Sequence, residues 1–325
     1  MMEIKILKTF EISDSLWTQI TKGFNESFGL DVSQGNMKEA FCIRNRNGYG
    51  YHAVAFSDEG EVMGYNVFSP VYYKNGLKTV VSGSTYVRPK FRTHEMLFME
   101  MVTALRKAVV ADGYEVEIGV PNHNSERFAL KILKFKPVAE LNYYILPFNV
   151  SRSLNKPGLK FLDGFVNALS RIHLVCQKLT AAVFNTKEKI VPYELDLDDE
   201  YWKYRFSGDN YHEGHEGDFH AFWLPYVENG AKAVYLMDFR EGKKRTYRAL
   251  VRAINMITKQ EQVDMILFVG FLQMKQFALL KCPKRYIPKR LPLTYYVLNK
   301  KEREKFENMG DDRNWNFSLM NFDVR

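Results

Sequence analysis

The stretch Val81-Ser-Gly-Ser-Thr-Tyr-Val-Arg-Pro-Lys-Phe-Arg-Thr-His-Glu-Met-Leu-Phe98 decides the fold of this chain. Its pattern is typical of a strand, a turn marked by Pro89 and then an amphipathic helix. The helix is predicted to end at Gly113, since glycine readily adopts the left-handed conformation that closes many helices. The predicted apolar face of this helix is formed by Leu97, Phe98, Met101, Val102, Leu105 and Val109.

The next elements extend the pattern with a strand from Val116 to Val120, an asparagine and a second helix. This order, with its V-x-P-x-F-R turn, resembles the acyl-CoA-dependent N-acetyltransferases of the GNAT superfamily. The resemblance continues through Val120-Pro-Asn-His-Asn-Ser125 and Leu130-Lys-Ile-Leu-Lys-Phe135 to Tyr143-Tyr-Ile-Leu-Pro147, and it covers most of the first half. It implies acetyl-CoA or another acyl-CoA as co-substrate and no metal.

The turn into the first of these helices departs from the family pattern. The family has R-x-x-G-x-G/A there, because small residues let backbone N–H groups close on the CoA pyrophosphate. This chain has Arg92-Thr-His-Glu95-Met-Leu97, which keeps the arginine and loses both small residues. A carboxylate at Glu95 suits the helix dipole but opposes a phosphate, so we expect weakened CoA binding.

The resemblance also implies which residues form the site. In the family, a backbone N–H on the strand before the loop stabilises the oxyanion of acyl transfer. The cofactor-binding positions implied are Ser84, Thr85, Tyr86, Val87, Arg92, Thr93, His94, Glu95, Met96, Leu97, Asn122 and Asn124. The two asparagines have an alternative interpretation as caps of the helix that begins near Ser125.

Catalysis of acyl transfer requires a neutral amine and a proton donor for the leaving thiolate. Tyr143 and Tyr144 are the candidate donors, and Glu126 or His123 is the candidate base. The alternative is that these are core tyrosines and a surface glutamate without a catalytic role.

The composition predicts a globular protein of two domains. The chain has 325 residues, of which 46% are hydrophobic and 14% aromatic. Its net charge of +8 favours anionic partners such as CoA, a nucleotide-linked sugar, RNA or a phospholipid surface, although solubility alone also explains it.

The cysteines and the termini favour a cytoplasmic protein. Cys42, Cys176 and Cys282 are far apart and have no metal-type spacing, which is typical of a reducing compartment. The N-terminal segment lacks the apolar core of a signal peptide, and no run is apolar enough to predict a membrane span.

We expect an α/β (α+β) fold with two tandem GNAT-like domains. Each is predicted to be a mixed, mostly antiparallel sheet flanked by helices. The predicted boundaries are 1–150 for the acyltransferase domain, 151–192 for a long linker helix and 193–325 for a degenerate second domain. The segment Asn155-Lys-Pro-Gly158 is predicted to interrupt regular secondary structure between the domains.

The second half repeats the element order of the first half. A short aromatic helix follows Asp198, and the strands Phe219 to Val227 and Ala233 to Phe239 form a hairpin. The remaining predicted elements are a helix from Tyr247 to Ile257, a strand from Met265 to Val269, a helix from Met274 to Lys281 and a strand from Thr294 to Leu298.

Three further features have two interpretations each. The helical pattern from Phe161 to Phe184 predicts either a bridging helix or a helix lying on a membrane, with Arg171, Lys178 and Lys187 as basic partners. The segment His212-Glu-Gly-His-Glu-Gly-Asp-Phe-His220 is either a metal cluster or a solvated polar loop. The basic segments Lys243-Lys-Arg245 and Lys281 to Arg290 either contact phosphates or are plain loops.

The leading functional prediction is a GNAT-like N-acyltransferase. It would transfer an acyl group from acyl-CoA to the amine of a small molecule or precursor, with an amino sugar or a cell-surface polysaccharide precursor as candidate acceptor. Tandem GNAT-like chains of this size are familiar in bacteria. The alternatives are a Fem-like tRNA-dependent aminoacyl transferase and a non-catalytic GNAT-like binding module.

Overall fold

The computed structural model describes residues 2–39, 46–94, 96–198, 200–208 and 210–322. The α-helices in chain order are α1 (Asp14–Phe28), α2 (Gln34–Lys38), α3 (Leu97–Ala111), α4 (His123–Lys131), α5 (Val150–Ser153), α6 (Asp163–Val183), α7 (Tyr201–Arg205) and α8 (Tyr247–Gln260). The strands are β1 (Glu3–Lys8), β2 (Tyr51–Phe56), β3 (Val62–Tyr72), β4 (Lys78–Val87), β5 (Val116–Gly119), β6 (Lys136–Glu140), β7 (Asn142–Pro147), β8 (His212–Glu216), β9 (Phe219–Glu228), β10 (Ala231–Glu241), β11 (Met265–Gly270), β12 (Leu280–Lys281) and β13 (Pro292–Val297).

The chain forms two compact units, and each is discontinuous in sequence. Unit 1 consists of Met1–Ala139, Leu195–Ser207 and Leu291–Asp311. Unit 2 consists of Glu140–Glu194, Gly208–Arg290 and Asp312–Arg325. The units therefore cross the boundaries that the sequence predicts at 150 and 193.

Unit 1 is built on a mixed sheet in which, among the described residues, seven strands lie in the order β1-β2-β3-β4-β5-β13-β6. β4 and β5 run parallel, from Thr79 opposite Val116 to Val81 opposite Ile118. The β1-β2, β2-β3, β3-β4 and β5-β13 pairs are antiparallel. The predicted mixed, mostly antiparallel sheet is confirmed for this unit.

Unit 2 repeats this arrangement with six strands, in the described part of the chain, in the order β12-β7-β11-β10-β9-β8. β10 and β11 are the parallel pair, from Ala233 opposite Met265 to Tyr235 opposite Leu267. β7 pairs antiparallel with β11, and β12 pairs antiparallel with β7. The two sheets confirm the tandem α/β fold class.

The strand beside β5 and the strand beside β11 each come from the other half of the sequence. The sequence predicts that Tyr143 to Pro147 completes the first sheet and Thr294 to Leu298 the second. Instead, β7 lies beside β11 in unit 2, and β13 lies beside β5 in unit 1. The reason is that Asn142-Tyr-Tyr-Ile-Leu and Leu293-Thr-Tyr-Tyr-Val have nearly the same strand pattern, which specifies a strand but not its partner.

Three local predictions also differ from the structure. The predicted helix from Met274 to Lys281 does not form, because the Gln276 side chain bonds both backbone groups of Leu279, at 2.9 Å to N–H and 3.0 Å to C=O. The predicted loop around His212 begins with a strand, β8. The sequence also predicts a short helix from Met37 to Ile43; α2 begins earlier, at Gln34, and residues 40–45 lie outside the described residues.

Two contacts fix the end of β4 in unit 1. The Arg88 side chain, which is buried, donates to Glu26 of α1 at 2.8 Å and to Glu61 at 2.5 Å. The Tyr86 hydroxyl donates to the carbonyl of Ile20 at 2.6 Å, and burial raises the pKa of this tyrosine. The C-terminal part of β4 is therefore held against α1.

The close packing of Tyr86 on α1 depends on Gly23. A Cβ atom at position 23 would lie 2.7 Å from the Tyr86 hydroxyl oxygen and 2.8 Å from its ring. We expect Gly23→Ala to lower the free energy of unfolding by about 1–3 kcal/mol, since overpacking forces neighbouring atoms to shift. Urea denaturation of the variant and the wild-type protein measures this difference.

The matched control is Gly35→Ala in α2, where the nearest atom to a new Cβ is 3.8 Å away. We expect this variant to be as stable as the wild-type protein or more stable, because alanine favours a helix. Equal denaturation midpoints for the two variants would show that Tyr86 does not pack on Gly23.

Candidate functional site

The candidate site is the cleft where β4 and β5 separate in unit 1. Their described pairing ends at Val81 and Ile118, while β4 continues to Val87 paired with β3. Between Tyr65 and Val67 of β3, the register on β4 advances by three residues, which is a bulge. Ser84 lies within it with a φ of 45°, in the left-handed region. Because a bulge bends its strand, it accounts for the separation of β4 from β5.

Polar groups and free space surround this bulge. The Thr85 hydroxyl donates to the Asn66 Oδ1 atom at 2.9 Å. Asn66 is fully buried, and within the described ranges its Nδ2 atom has no hydrogen-bond partner. No atom lies within 4 Å of a Cβ built on Gly83. The bulge therefore has open space at Gly83 and, among the described residues, a buried amide donor at Asn66 without a partner.

Asn66 was missed by the sequence reasoning. Its signal is a single amide in the apolar strand Val62-Met-Gly-Tyr-Asn-Val-Phe68. Such an amide is costly to bury unless it makes hydrogen bonds, so it marks a position with a polar task.

The loop between β4 and α3 holds the predicted pyrophosphate-binding residues. Arg92, Thr93, His94 and Met96 are exposed, and Arg92 Nε donates to the carbonyl of Val87 at 3.2 Å. Tyr86, by contrast, packs on α1 and has no exposed hydroxyl. The loop thus presents one guanidinium beside the end of β4.

Glu95 and Leu97 stand where the family has small residues, and the structure describes only Leu97. Leu97 begins α3, is only 1% exposed and packs in the core of unit 1 with Met101 and Leu105. Its side chain points into the core, so its size does not obstruct the loop surface. Glu95 lies outside the described residues.

The predicted residues after β5 are placed at the start of α4. Asn122 is its N-cap, and Oδ1 accepts from the backbone N–H groups of Asn124 and Ser125, each at 3.0 Å. Asn124 is exposed, and Glu126 lies in the first turn. The capping interpretation is therefore correct for Asn122, whose amide oxygen is already engaged.

The structure does not bring the two predicted tyrosines together with these residues in one unit. Tyr143 and Tyr144 lie on β7 in the sheet of unit 2, and burial raises the pKa of Tyr144. The strand beside β5 is β13 instead, which places Thr294 opposite Gly119, with its hydroxyl donating to the Gly119 carbonyl at 2.9 Å. Local pattern could not reveal this exchange.

Unit 2 contains a matching pair of strands whose cleft is filled. The parallel ladder ends at Tyr235 and Leu267, and β10 has a bulge between Leu236 and Asp238. The C-terminal segment lies beside the end of β11, where the Phe271 N–H donates to the carbonyl of Phe317 at 2.8 Å. The chain's own backbone therefore covers the end of β11, where this strand separates from β10.

The cations of this second cleft are also engaged. Arg245, which precedes α8, is fully buried and donates to Asp238 at 2.9 Å, to Asn316 at 2.9 Å and to Ser318 at 3.1 Å. Arg240 donates to the same Asp238 at 2.8 Å. These two guanidiniums are therefore engaged, and the exposed Arg248 in the first turn of α8 is paired with Glu241 at 2.7 Å.

The remaining motifs do not form a metal site in the part of the chain that the structure describes. His212 and Glu261 are paired at 2.5 Å, and the hairpin of β8 and β9 places His215 opposite His220. Among described residues, no group of three His, Cys, Asp or Glu side chains is arranged to hold a metal ion.

A second, polar cavity of about 500 Å³ lies at the other end of β4 in unit 1. Its lining residues are Asn47, Tyr49, Tyr51, Tyr72, Lys78, Asp112 and Tyr114. The Tyr51 hydroxyl donates to Asp112 at 2.5 Å, and this bond and the Lys8 ion pair lower the pKa of Asp112. Because Lys78 begins β4, this cavity is distinct from the cleft at the bulge.

Comparisons with solved structures agree on the fold. A probable N-acyltransferase from Enterococcus faecalis has a TM-score of 0.57 and 9% identity, over 92% of this chain and 73% of that one. A GCN5-related N-acetyltransferase from Anabaena variabilis has a TM-score of 0.55 and 8% identity, over 91% and 73%. Eis1 from Mycobacterium abscessus has a TM-score of 0.52 and 11% identity, over 92% and 74%.

No family model matches the sequence, and no curated protein matches it. Identities near 10% show the fold and not the activity. The chain therefore has a GNAT-like fold with two sheets in tandem, the fold that the resemblance implied.

Closure of the unit 2 cleft depends on Gly270, whose φ is 154°. A Cβ atom there would lie 2.5 Å from Cβ of Ser318 and 2.6 Å from the carbonyl oxygen of Phe317. We expect Gly270→Ala to destabilise the protein by about 1–3 kcal/mol and to increase hydrogen exchange in Phe317–Phe322, because the C-terminal segment must move.

Gly164→Ala is the control for this variant, since no atom lies within 4 Å of a new Cβ in α6. It is expected to retain wild-type exchange in the C-terminal segment. Unchanged exchange and stability in Gly270→Ala would mean that the segment does not close the cleft.

Proposed function

We propose that this protein is an N-acyltransferase that binds its acyl-CoA co-substrate in the β4–β5 cleft of unit 1. The observation that carries the proposal is the bulge at Ser84, where β4 leaves β5 beside free space at Gly83. The N-acyltransferase descriptions of two structural neighbours support it. The filled cleft of unit 2 limits the proposal to one site for each chain.

The residues around the bulge fit an acyl thioester. The thioester supplies an activated acyl group, and its carbonyl oxygen gains negative charge when an amine attacks. Backbone N–H groups of β4 near Ser84 are the proposed donors to that oxygen, since the bulge interrupts their pairing with β3. The buried Nδ2 atom of Asn66 supplies a further donor at this position.

The exposed loop before α3 is the proposed contact for the pyrophosphate. The planar guanidinium of Arg92 can donate two parallel hydrogen bonds to phosphate oxygens. Thr93 and His94 are exposed beside it. The burial of Leu97 removes one of the two obstacles that the sequence suggested.

The acceptor is a primary amine, which must lose a proton before or during attack. Glu126 is the proposed base, because it follows β5 in the same unit as the cleft. An amino sugar or a cell-surface polysaccharide precursor remains the proposed acceptor class, on the family resemblance alone. Tyr143 and Tyr144 are left out of this proposal, since their strand belongs to the sheet of unit 2.

The tRNA-dependent alternative has less support in the structure. Arg245 is buried, and Arg290 donates to Glu140 at 2.7 Å, so two of the predicted basic residues are engaged. The unpaired cysteines Cys176 and Cys282 support a reducing compartment such as the cytoplasm.

Arg92→Ala tests the proposed site. We expect acetyl-CoA affinity to fall by about tenfold, since a hydrogen bond to a charged group contributes roughly 1.5–3 kcal/mol. The fold should stay intact, because the side chain is exposed and holds little of the core. Isothermal titration calorimetry measures the affinity, and transfer to glucosamine measures the rate.

Arg303→Ala is the matched control, since Arg303 is an exposed arginine of unit 1 in the segment Lys300–Gly310. It should bind acetyl-CoA as the wild-type protein does. If the wild-type protein binds no acyl-CoA, the proposal fails and the non-catalytic alternative takes its place.

A further inference from the structure

The helix α6 of unit 2 packs on the core of that unit through a face that is partly polar. Its buried residues are Ser170, Leu174, Gln177 and Ala181. The Ser170 hydroxyl donates to the carbonyl of Pro147 at 2.5 Å, and the Gln177 side chain accepts a hydrogen bond from the Tyr247 hydroxyl of α8. Half of the buried face is therefore polar and hydrogen-bonded, which is unusual for a helix packed on a domain core.

The opposite side of the same helix is apolar and exposed. The large side chains here, each between 48% and 79% exposed, are Phe165, Leu169, Ile172, Val175, Leu179 and Val183 of α6, with Phe161 just before the helix and Phe184 just after it. Most are separated by three or four residues, so they form one continuous stripe about 30 Å long. We call these eight residues the α6 stripe. An apolar surface of this extent on a soluble protein indicates that another surface covers it.

The exposed charges of the segment that contains the α6 stripe are positive, although Asp264 of unit 2 lies 3.5 Å from Arg152. In the segment from Ser151 to Ile190, the exposed basic residues are Arg152, Lys156, Lys160, Arg171, Lys178, Lys187 and Lys189. The two acidic residues of this segment are engaged: Asp163 accepts from the Ser151 hydroxyl at 2.6 Å, and Glu188 is buried beside Arg245. The stripe is thus flanked by cations whose charge is not balanced within the segment.

The loop that adjoins the C-terminal end of α6 also exposes apolar side chains next to lysines. The Lys189 N–H donates to the carbonyl of Gln273 at 3.0 Å, and the Thr186 hydroxyl donates to the carbonyl of Lys275 at 2.6 Å. This loop exposes Phe277 and Leu280, and Lys281 follows them. The adjoining surface therefore also pairs exposed apolar side chains with lysines.

We propose that the α6 stripe binds the surface of a membrane that contains anionic phospholipids. A helix lying in the membrane plane inserts its apolar face between lipid chains while its basic flanks contact anionic headgroups. Neither α6 nor any other helix in the described ranges is long and apolar enough to cross a bilayer. The polar contacts of Ser170 and Gln177 hold α6 to unit 2, so the whole protein would be carried to the surface.

The charges favour a lipid surface over a second copy of this chain. Two copies joined through the α6 stripe would bring Arg171 and Lys178 of one helix near the same residues of the other. No exposed carboxylate in the segment Ser151 to Ile190 compensates this repulsion. An anionic surface, in contrast, neutralises all of these cations together.

Co-sedimentation of the full chain with vesicles tests the proposal. We expect the protein to sediment with vesicles of phosphatidylcholine mixed with phosphatidylglycerol, and not with phosphatidylcholine alone. High salt should weaken the binding. The double variant Ile172→Glu/Leu179→Glu should bind at least about tenfold more weakly, because it places carboxylates in the inserted face.

Two matched variants separate surface binding from loss of fold. Val110→Glu places the same charge on an exposed position of α3 and should bind as the wild-type protein does. The double variant Arg171→Gln/Lys178→Gln leaves the α6 stripe intact and removes two cations. It should therefore bind the anionic vesicles more weakly than the wild-type protein does. Since Ile172 and Leu179 are 60% and 68% exposed, their variants should keep the wild-type circular dichroism spectrum.

Three results would overturn the proposal. Equal binding to neutral and anionic vesicles would remove the role of the cations. Undiminished binding by the double glutamate variant would place the lipid contact elsewhere. Absence of vesicle binding, together with a dimer in sedimentation equilibrium that Ile172→Glu dissociates, would show that a second copy covers the stripe.

Discussion

Two antiparallel ladders, β5 with β13 and β11 with β7, determine how the rest of the molecule is assembled. β5 and β11 are the strands that diverge from β4 and β10, so each would otherwise present an unpaired edge on its other side. Each ladder supplies that edge with a strand from a distant part of the sequence. Neither unit is therefore complete as a continuous segment, which explains why the two compact units interleave along the chain.

The same strand arrangement has opposite results in the two units. In unit 1, the bulge at Ser84 adjoins free space at Gly83 and a buried amide with an unfilled donor. In unit 2, residues Phe317 and Ser318 lie beside the end of β11, and Asp238 accepts hydrogen bonds from Arg240 and Arg245. An anionic ligand would have to displace both the backbone and a buried ion pair, so we propose acyl-CoA binding in the first cleft alone.

Local chemistry made much of the fold predictable from the sequence. The turn Lys74-Asn-Gly76 and the cap at Ser13 specify a hairpin and a helix from neighbouring residues alone, and both are present in the structure. The exchange of β7 and β13 could not be predicted, because two nearly identical tyrosine strands carry no information about their partners. For the same reason, Tyr143 and Tyr144 were assigned to the cleft of the wrong sheet.

The site was only partly predictable, because several of its features depend on contacts between residues that are far apart in the sequence. Arg92 and Ser84 were identified through the resemblance, but the unfilled donor of Asn66 and the burial of Leu97 depend on what packs around them. The exposed side of α6 also required the structure, since an apolar helical pattern indicates a face but not the direction in which it points.

The number of acyl-CoA molecules bound by each chain tests the central claim most directly. Calorimetric titration of the full chain with acetyl-CoA should give one site, since one cleft is open and the other is closed by the chain itself. A second site of similar affinity would contradict the closure of unit 2, and the absence of binding would contradict the assignment of unit 1.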